Sequence, residues 1–356
     1  MRTQRSFTWL SVGLMFAVTI FLSLAADSAM AKTVHLRLAH SEAVANIRHD
    51  VTIFFAKRAD ELSKGEVKIE IFPAGVLGSH QSCQEQVSMG TLDFYITTAG
   101  LVSVFDPNRA PDLLELPYLF DNYSQAYAFM DLPFVAKFYE PLLANGIRYL
   151  ATWDNGFRQM TNNVRPINTP ADMKGLKIRV VQSEMSINII NALGASAVPM
   201  SYSELYTALS QGVVDGQENP FMNIYASKFY EVQKYLSVTR HQYSTLPLII
   251  SEKTWKKLDD NQRQAIQKAA LEAAVYFRKQ VGASEDSQRK AMEAAGMKIN
   301  DVSDLTPFRT AVEPVYAWAK GKWGADKVNE ILTAVEKIRK EYPAGTDKLY
   351  FGPESK

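Results

Sequence analysis

A single cysteine, Cys83, stands in a chain of 356 residues, so no intramolecular disulfide can form and stability must come from a buried core. Neither sign of charge is in excess: 39 lysines and arginines face 38 aspartates and glutamates. Such a balance offers no electrostatic footprint for nucleic acid or for an anionic membrane surface, and no nucleic-acid partner is expected. The five histidines, His35, His40, His49, His80 and His241, are scattered along the chain. No HExxH, CxxC or GxSxG pattern occurs, so the signatures of a zinc protease, a dithiol redox site and a serine hydrolase are all missing. A glycine-rich phosphate loop is missing too, and neither cofactor nor metal is expected. Internal repeats and low-complexity stretches are lacking.

What is present starts with an export leader. Arg2 and Arg5 precede an apolar run over about residues 7–24, and Ala29-Met30-Ala31 is a small-x-small cleavage site. An apolar run of this length could also stay as a membrane anchor, but the cleavage site directly behind it favours removal. The expectation is a periplasmic protein with a signal peptide over residues 1–31, cut after Ala31. No cysteine follows the run to accept a lipid, and the mature chain from Lys32 is formally neutral. Its length makes two domains the natural prior.

From Lys32 strand-like and helix-like patterns alternate. VHLRLAH (34–40) alternates apolar and polar residues, and Val51, Phe54, Phe55 and Ala59 fall near helical spacing within 45–62. VKIEIFP (67–73), TLDFYIT (91–97) and the run 147–153 read as further strands, with helices over 81–89 and 123–134. A second block begins near Gly156: strand LKIRVV (176–181), a helix over 183–193, strand ASAVPM (195–200), and helix SYSELYTALSQ ending at Gly212. Residues 235–251 read as two strands that carry the chain back. This interleaving predicts an α/β protein with a mostly parallel sheet. Ile266, Ala270, Ala273 and Phe277 form one stripe in a helix predicted over 259–295. Gly282 could divide it into two consecutive helices; unbroken, such a helix exceeds the needs of one small domain and is expected to brace two. Helices over 306–318 and 325–342 close the chain. The expected division is 32–155 plus 245–285 for one domain and 156–244 plus 286–356 for the other.

The chemistry concentrates between Gly175 and Tyr230. Alternation puts Lys177, Arg179 and Val181 on one face of LKIRVV, with Arg179 near the carboxyl end of a strand, where open α/β sheets gather their ligands. Ser183 follows as an N-cap. A guanidinium there suits a carboxylate through two parallel hydrogen bonds. The strand alone admits two readings: Arg179 pairs with a structural acid, or it is kept for an anionic ligand. Arg158, in an expected Gly-Phe-Arg turn after Trp153, could reach the same ligand or serve only as a solvated charge. Asn219, in an expected DGQENP turn, offers an amide that donates and accepts, or shapes the loop. Trp153, Tyr202, Phe221 and Tyr243 are candidate cleft walls, each with a core alternative. Gln182, Ser183, Glu184, Asn155 and Asn223 are polar candidates at the rim. They hint at a hydroxylated acid, a uronate or aldonate, ahead of C4-dicarboxylates and 2-oxo or 2-hydroxy monocarboxylates.

The segments LRLAHSE, KIEIFPAGVLGSHQSCQEQVSMGTLDF, LPYLFDNYSQAYAFMD, NGFRQMTNN, MKGLKIRV, GASAVPMSYSELYTALSQGVVDGQENP and KFYEVQKYLSVTRH follow one another in one order. In them the chain resembles the DctP-type substrate-binding proteins of tripartite ATP-independent periplasmic (TRAP) transporters, over essentially the whole mature sequence. The resemblance implies a two-domain α/β clamp with hinge strands and a domain-spanning helix, closing on a small organic acid. It implies membrane permease subunits as partners and no enzymatic activity. It assigns the carboxylate salt bridge to Arg179, with contributions from Arg158 and Asn219 and a ligand contact at Thr98. Sialic-acid receptors of this family carry a glutamate at the position of Thr98, so this departure counts against sialate. His40 and Ser41, closing the first strand, are further candidates. A monomer is expected.

Two other readings use the same cleft. A periplasmic enzyme acting on acidic sugars or hydroxy acids would need an acid/base pair, for which Glu204 and Glu218 are the candidates. A sensory subunit would report occupancy to a membrane kinase.

Overall fold

In the computed structural model, which describes residues 33–345 and 349–353, the alternating VHLRLA segment forms strand β1 (Val34–Ala39). The leader and cleavage site expected over residues 1–31 lie outside the described residues. Asn46 then caps the helix Ile47–Leu62 by accepting from the Arg48 backbone N–H, and Val51, Phe55 and Ala59 form its buried stripe. Strand β2 (Val67–Phe72) follows, then the helix His80–Met89, closed by Gly90 in the left-handed conformation, and strand β3 (Phe94–Ile96). After the helix Tyr123–Met130 the chain enters strand β4 (Ile147–Asn162). A second alternating block comprises β5 (Lys177–Val180), the helix Glu184–Ala192, β6 (Ser196–Pro199), the helix Tyr202–Ser210 and β7 (Gly216–Asn219). The helix Phe221–Ala226 leads to β8 (Tyr235–Ser251), the long helix Asp260–Ala294 and β9 (Lys298–Asp301).

The nine strands form one sheet in the order β2-β1-β3-β8-β4-β7-β5-β6, with β9 beside β8. The sheet is mixed: parallel pairs, β8–β9 among them, are joined by antiparallel ladders at its centre, which the alternation of strands and helices did not foretell. Helical crossovers give the parallel pairs β1–β3, β5–β6 and β5–β7 on the two flanks. Between the flanks, β3–β8, β8–β4 and β4–β7 are antiparallel. Residues 235–251 are a single strand of 17 residues where two were expected, because β8 pairs along β4 from Tyr235 opposite Asn162 to Ser251 opposite Ile147. Register shifts at three places keep this ribbon from being regular. At one of them Gly156 has φ +105°, and a β-carbon there would come within 3.1 Å of Tyr123 Oη.

The long helix has 35 residues, about 52 Å at 1.5 Å per residue. Asp259 and Gln262 cap its start reciprocally, and Gly282 does not break it, standing among strong helix formers. It packs against the helix Ile47–Leu62, β4 and the helix Phe221–Ala226. Phe55, Phe94, Trp153 and Phe277 meet edge-on between these layers, with centroids 5.6–6.4 Å apart. The segment expected as one helix over 306–318 divides at Val312 into Thr306–Ala311 and Glu313–Trp323, and the helix Ala325–Glu341 follows.

Candidate functional site

Strand β5 lies between β6 and β7, and Arg179, its third residue, is buried. Its Nε and Nη2 both donate to the Met200 carbonyl, at 3.0 and 2.7 Å, which fixes the guanidinium plane. Among the described residues Nη1 has no hydrogen-bond partner and no carboxylate lies within ion-pair distance. Burial pulls the guanidinium down to about 10; the Glu218 charge opposes this shift and the Arg158 charge adds to it. A buried cation without a counter-charge is costly, so this arrangement favours an anion.

Arg158 sits within β4 opposite Gln242, not in a turn. The Asn-Gly pair before it, a turn signal in sequence, is absorbed as an irregularity of the β4–β8 ribbon. Arg158 is already paired: Nη2 donates to Glu218 Oε1 at 2.8 Å and to the Glu218 carbonyl at 2.6 Å, and Nε also donates to the carboxylate. Burial opposes charge on Glu218, but Arg158, with His241 Nε2 at 3.3 Å, overcomes this and holds its carboxyl at about 2. Asn219 is the last residue of β7 rather than a turn residue, because the QEN segment pairs with Gln159–Thr161 of β4. Its Oδ1 accepts from Asn223 Nδ2 at 3.1 Å and from Arg158 Nη2 at 3.4 Å.

A third buried guanidinium belongs to Arg48, paired with Glu42 and donating to Asn155 Oδ1 at 3.1 Å. Asn223 Nδ2 reaches the same oxygen at 3.2 Å, and Asn46 Nδ2 donates to Asn223 Oδ1 at 2.9 Å. Amides thus link the cap of the helix Ile47–Leu62 to β4 and to the end of β7.

These groups surround a cavity of about 340 Å³, within the range of small-molecule sites. Arg179, Arg158, Asn219, Thr98, Gln182 and Tyr202 all line it, as do Arg48, Glu42, Asn155, Asn223 and His80. Thr98 caps a short helix by accepting from the Leu101 N–H at 3.3 Å. The face of Tyr202 lies 5.8 Å from the Arg179 guanidinium carbon. His40, Ser41 and Trp153 do not line the cavity. His40 is buried against His49, Nε2 to Nδ1 3.1 Å, and burial lowers it to about 4. Ser41 bonds Tyr95 Oη at 2.6 Å, and Trp153 donates from Nε1 to the Ala270 carbonyl at 2.9 Å inside the core. Of the other candidate walls, Tyr243 is held in the core by Asp154 and Phe221 by its own apolar cluster.

Residues 38–322 match the bacterial extracellular solute-binding proteins, family 7, the DctP family. The chain belongs to this family. The sialic acid-binding periplasmic protein SiaP of Vibrio cholerae is 33% identical over 83% of this chain and 91% of its own length. A TRAP periplasmic solute-binding protein from Polaromonas, solved with D-erythronate, superposes with a TM-score of 0.81 at 33% identity, covering 84% of this chain and 98% of that one. The sugar acid-binding protein DctPAm of Advenella mimigardefordensis, solved with galactonate, gives 0.82 at 30% identity, covering 86% and 99%.

Within this DctP-family protein, sequence reading missed Arg48, Glu42 and His80. Arg48 lies in IRHDVTIFF, where a charge on a helix normally reads as a solvated face; only the loop carrying Glu42 buries it. The acid/base pair considered for an enzyme does not assemble as such. Glu218 is held ionised by Arg158 and has no proton to give near neutral pH, and Glu204 is an exposed residue of the first turn of Tyr202–Ser210.

Proposed function

We propose that this chain is a periplasmic solute receptor that captures a sugar acid carrying one carboxylate, an aldonate or uronate, and hands it to a TRAP membrane permease. The observation that carries this reading is the buried Arg179 guanidinium with Nη1 unpartnered at the wall of the cavity. The charge count supports a monoanion. Among the buried charges Arg48 and Glu42 neutralise each other, as do Arg158 and Glu218, and Arg179 leaves one positive charge for one carboxylate; Glu204, also on the lining, is exposed and screened by solvent. A dicarboxylate would bring a second charge with no buried cation left to meet it. The amides of Asn155, Asn219, Asn223 and Gln182 suit hydroxyl groups, which supports a hydroxylated acid, as do the ligands of the two solved relatives.

In this reading residues 32–155 plus 245–285 and residues 156–244 plus 286–356 are the two lobes, with β4 and β8 as the hinge. The ligand drives closure because only the closed form offers it groups from both sides at once. The leader is removed after Ala31 and the mature receptor works as a monomer.

Thermal melting of residues 32–356 with aldonates, uronates, C4-dicarboxylates, lactate, pyruvate and sialate tests the reading. A ligand that binds only the folded form raises the melting temperature by mass action. A shift with hydroxylated monocarboxylates, the acid being recovered unchanged, is expected. A shift only with dicarboxylates, or conversion of the acid, would overturn it.

A further inference from the structure

A second chamber of about 470 Å³ adjoins the ligand cavity and shares with it Ser79, His80, Ser201, Tyr202 and Ser203. Its chemistry differs. The ligand cavity carries three guanidiniums, whereas among the described residues no Asp, Glu, Lys or Arg lines the second chamber. Small residues (Ala43, Ala74, Gly75, Gly78) open its space, and Tyr206 and Phe229 supply aromatic surface beside the hydroxyls of Ser41 and Ser227. Hydroxyls beside aromatic faces suit a neutral, hydroxylated unit the size of a sugar ring.

Two of the five residues shared by the chambers carry rings. His80 opens the helix His80–Met89 on the β1–β3 flank, and Tyr202 opens the helix Tyr202–Ser210 on the β5–β7 flank. Their centroids lie 6.4 Å apart at an interplanar angle of 71°, an edge-to-face contact. Each ring is fixed from behind. His80 Nδ1 bonds Tyr95 Oη at 2.9 Å, and Tyr202 Oη bonds Ser227 Oγ at 2.7 Å with Phe229 edge-on at 6.1 Å.

We propose that the His80 and Tyr202 rings form a partition that sets the length of acid the receptor accepts. A single sugar acid fills the charged inner cavity, and the partition excludes an acid bearing a further neutral sugar, for which the outer chamber has the room and the chemistry. This rests on the sugar-acid reading above.

The test is calorimetric titration of the mature chain with lactobionate, a gluconate carrying one galactosyl unit, and with D-galactonate, D-gluconate and D-glucuronate. The readout is the affinity for lactobionate relative to the tightest of the three short acids. The wild type is expected to bind lactobionate at least a hundredfold more weakly. Tyr202→Ala removes one leaf of the partition and is expected to raise the ratio at least tenfold, whereas Tyr202→Phe, which keeps the ring, leaves it low. Adding Ala43→Trp to Tyr202→Ala fills the outer chamber and is expected to cancel the gain. A gain of binding cannot come from impaired folding. Wild type binding lactobionate as tightly as the short acids overturns the partition and leaves the sugar-acid reading standing. So does a Tyr202→Ala protein that binds a short acid with no change in the ratio, or a gain that survives Ala43→Trp. No binding of any of the four acids by the wild type overturns the sugar-acid reading, and the partition with it.

Discussion

Arg158 on β4 reaches across the antiparallel ladder to Glu218 on β7, its Nη2 lying 2.8 Å from the carboxylate and 2.6 Å from the carbonyl of the same residue. Arg179, one strand beyond β7 along the sheet, has no such partner among the described residues. Two arginines that look alike in sequence therefore differ in kind: one charge is neutralised by the fold and the other has no carboxylate within ion-pair distance among the described residues. Removing one member of a buried pair strands the other, at a cost of ~3–5 kcal/mol. Glu218→Gln is thus expected to lower the unfolding free energy in urea by about that amount near neutral pH. A loss below ~1 kcal/mol would mean that the pair does not hold the β4–β7 junction.

Trp153 supplies a complementary prediction, because it lies in the core beneath the long helix. Trp153→Phe gives up the bond to the Ala270 carbonyl and part of the packed indole, and should destabilise the protein by roughly 1–3 kcal/mol. Ligand affinity should stay within about twofold. Weakened binding without loss of stability would return Trp153 to the cleft.

Asp154 should give a pH signature. Its carboxylate accepts from Tyr127 Oη at 2.5 Å and Tyr243 Oη at 2.8 Å, yet burial pushes it from 3.8 up to about 6. Between those values the folded state holds the proton that the unfolded state has released. The contribution of Asp154 to stability therefore falls as pH rises through this window and levels off above it. A carboxyl raised from 3.8 to about 6 on folding forfeits ~3 kcal/mol across the window. Urea titrations of the wild type and Asp154→Asn between about pH 4 and about pH 7 should show the difference in stability moving against the wild type by up to that amount. A difference independent of pH contradicts the assignment.

Much of the fold was legible because its elements are locally encoded. Ser183 and Ser79 cap the helices they precede, Gly90 and Gly212 have the positive φ of helix ends, and the apolar stripe of the long helix continues through Gly282. Arg179 was legible as a candidate because open α/β sheets gather ligands at strand ends, Gln182, Asn219 and Tyr202 as polar or aromatic neighbours of that segment, and Thr98 only through the family resemblance; all five line the cavity. The long antiparallel ribbon was not. Asn155-Gly156 is a turn signal taken alone, and only pairing with a strand some 90 residues away turns it into a bulge. The same dependence on distant partners hid Arg48, whose burial rests on Glu42 and Asn155. It also misplaced Trp153, since alternation along a strand does not say which face a helix will cover.

The central claim is that Arg179 is a buried cation kept for a ligand carboxylate. Arg179→Met, which preserves length and removes the charge, tests it most directly when sugar-acid binding and the melting temperature of the free protein are measured together. The loss of affinity should be ~2–5 kcal/mol, or roughly 30- to 5000-fold at ~1.4 kcal/mol per tenfold. The free protein should melt at the same temperature or higher, because an unpaired buried charge has been removed. Binding within a few-fold of the wild type, or a free protein destabilised as though a structural ion pair had been cut, would contradict it.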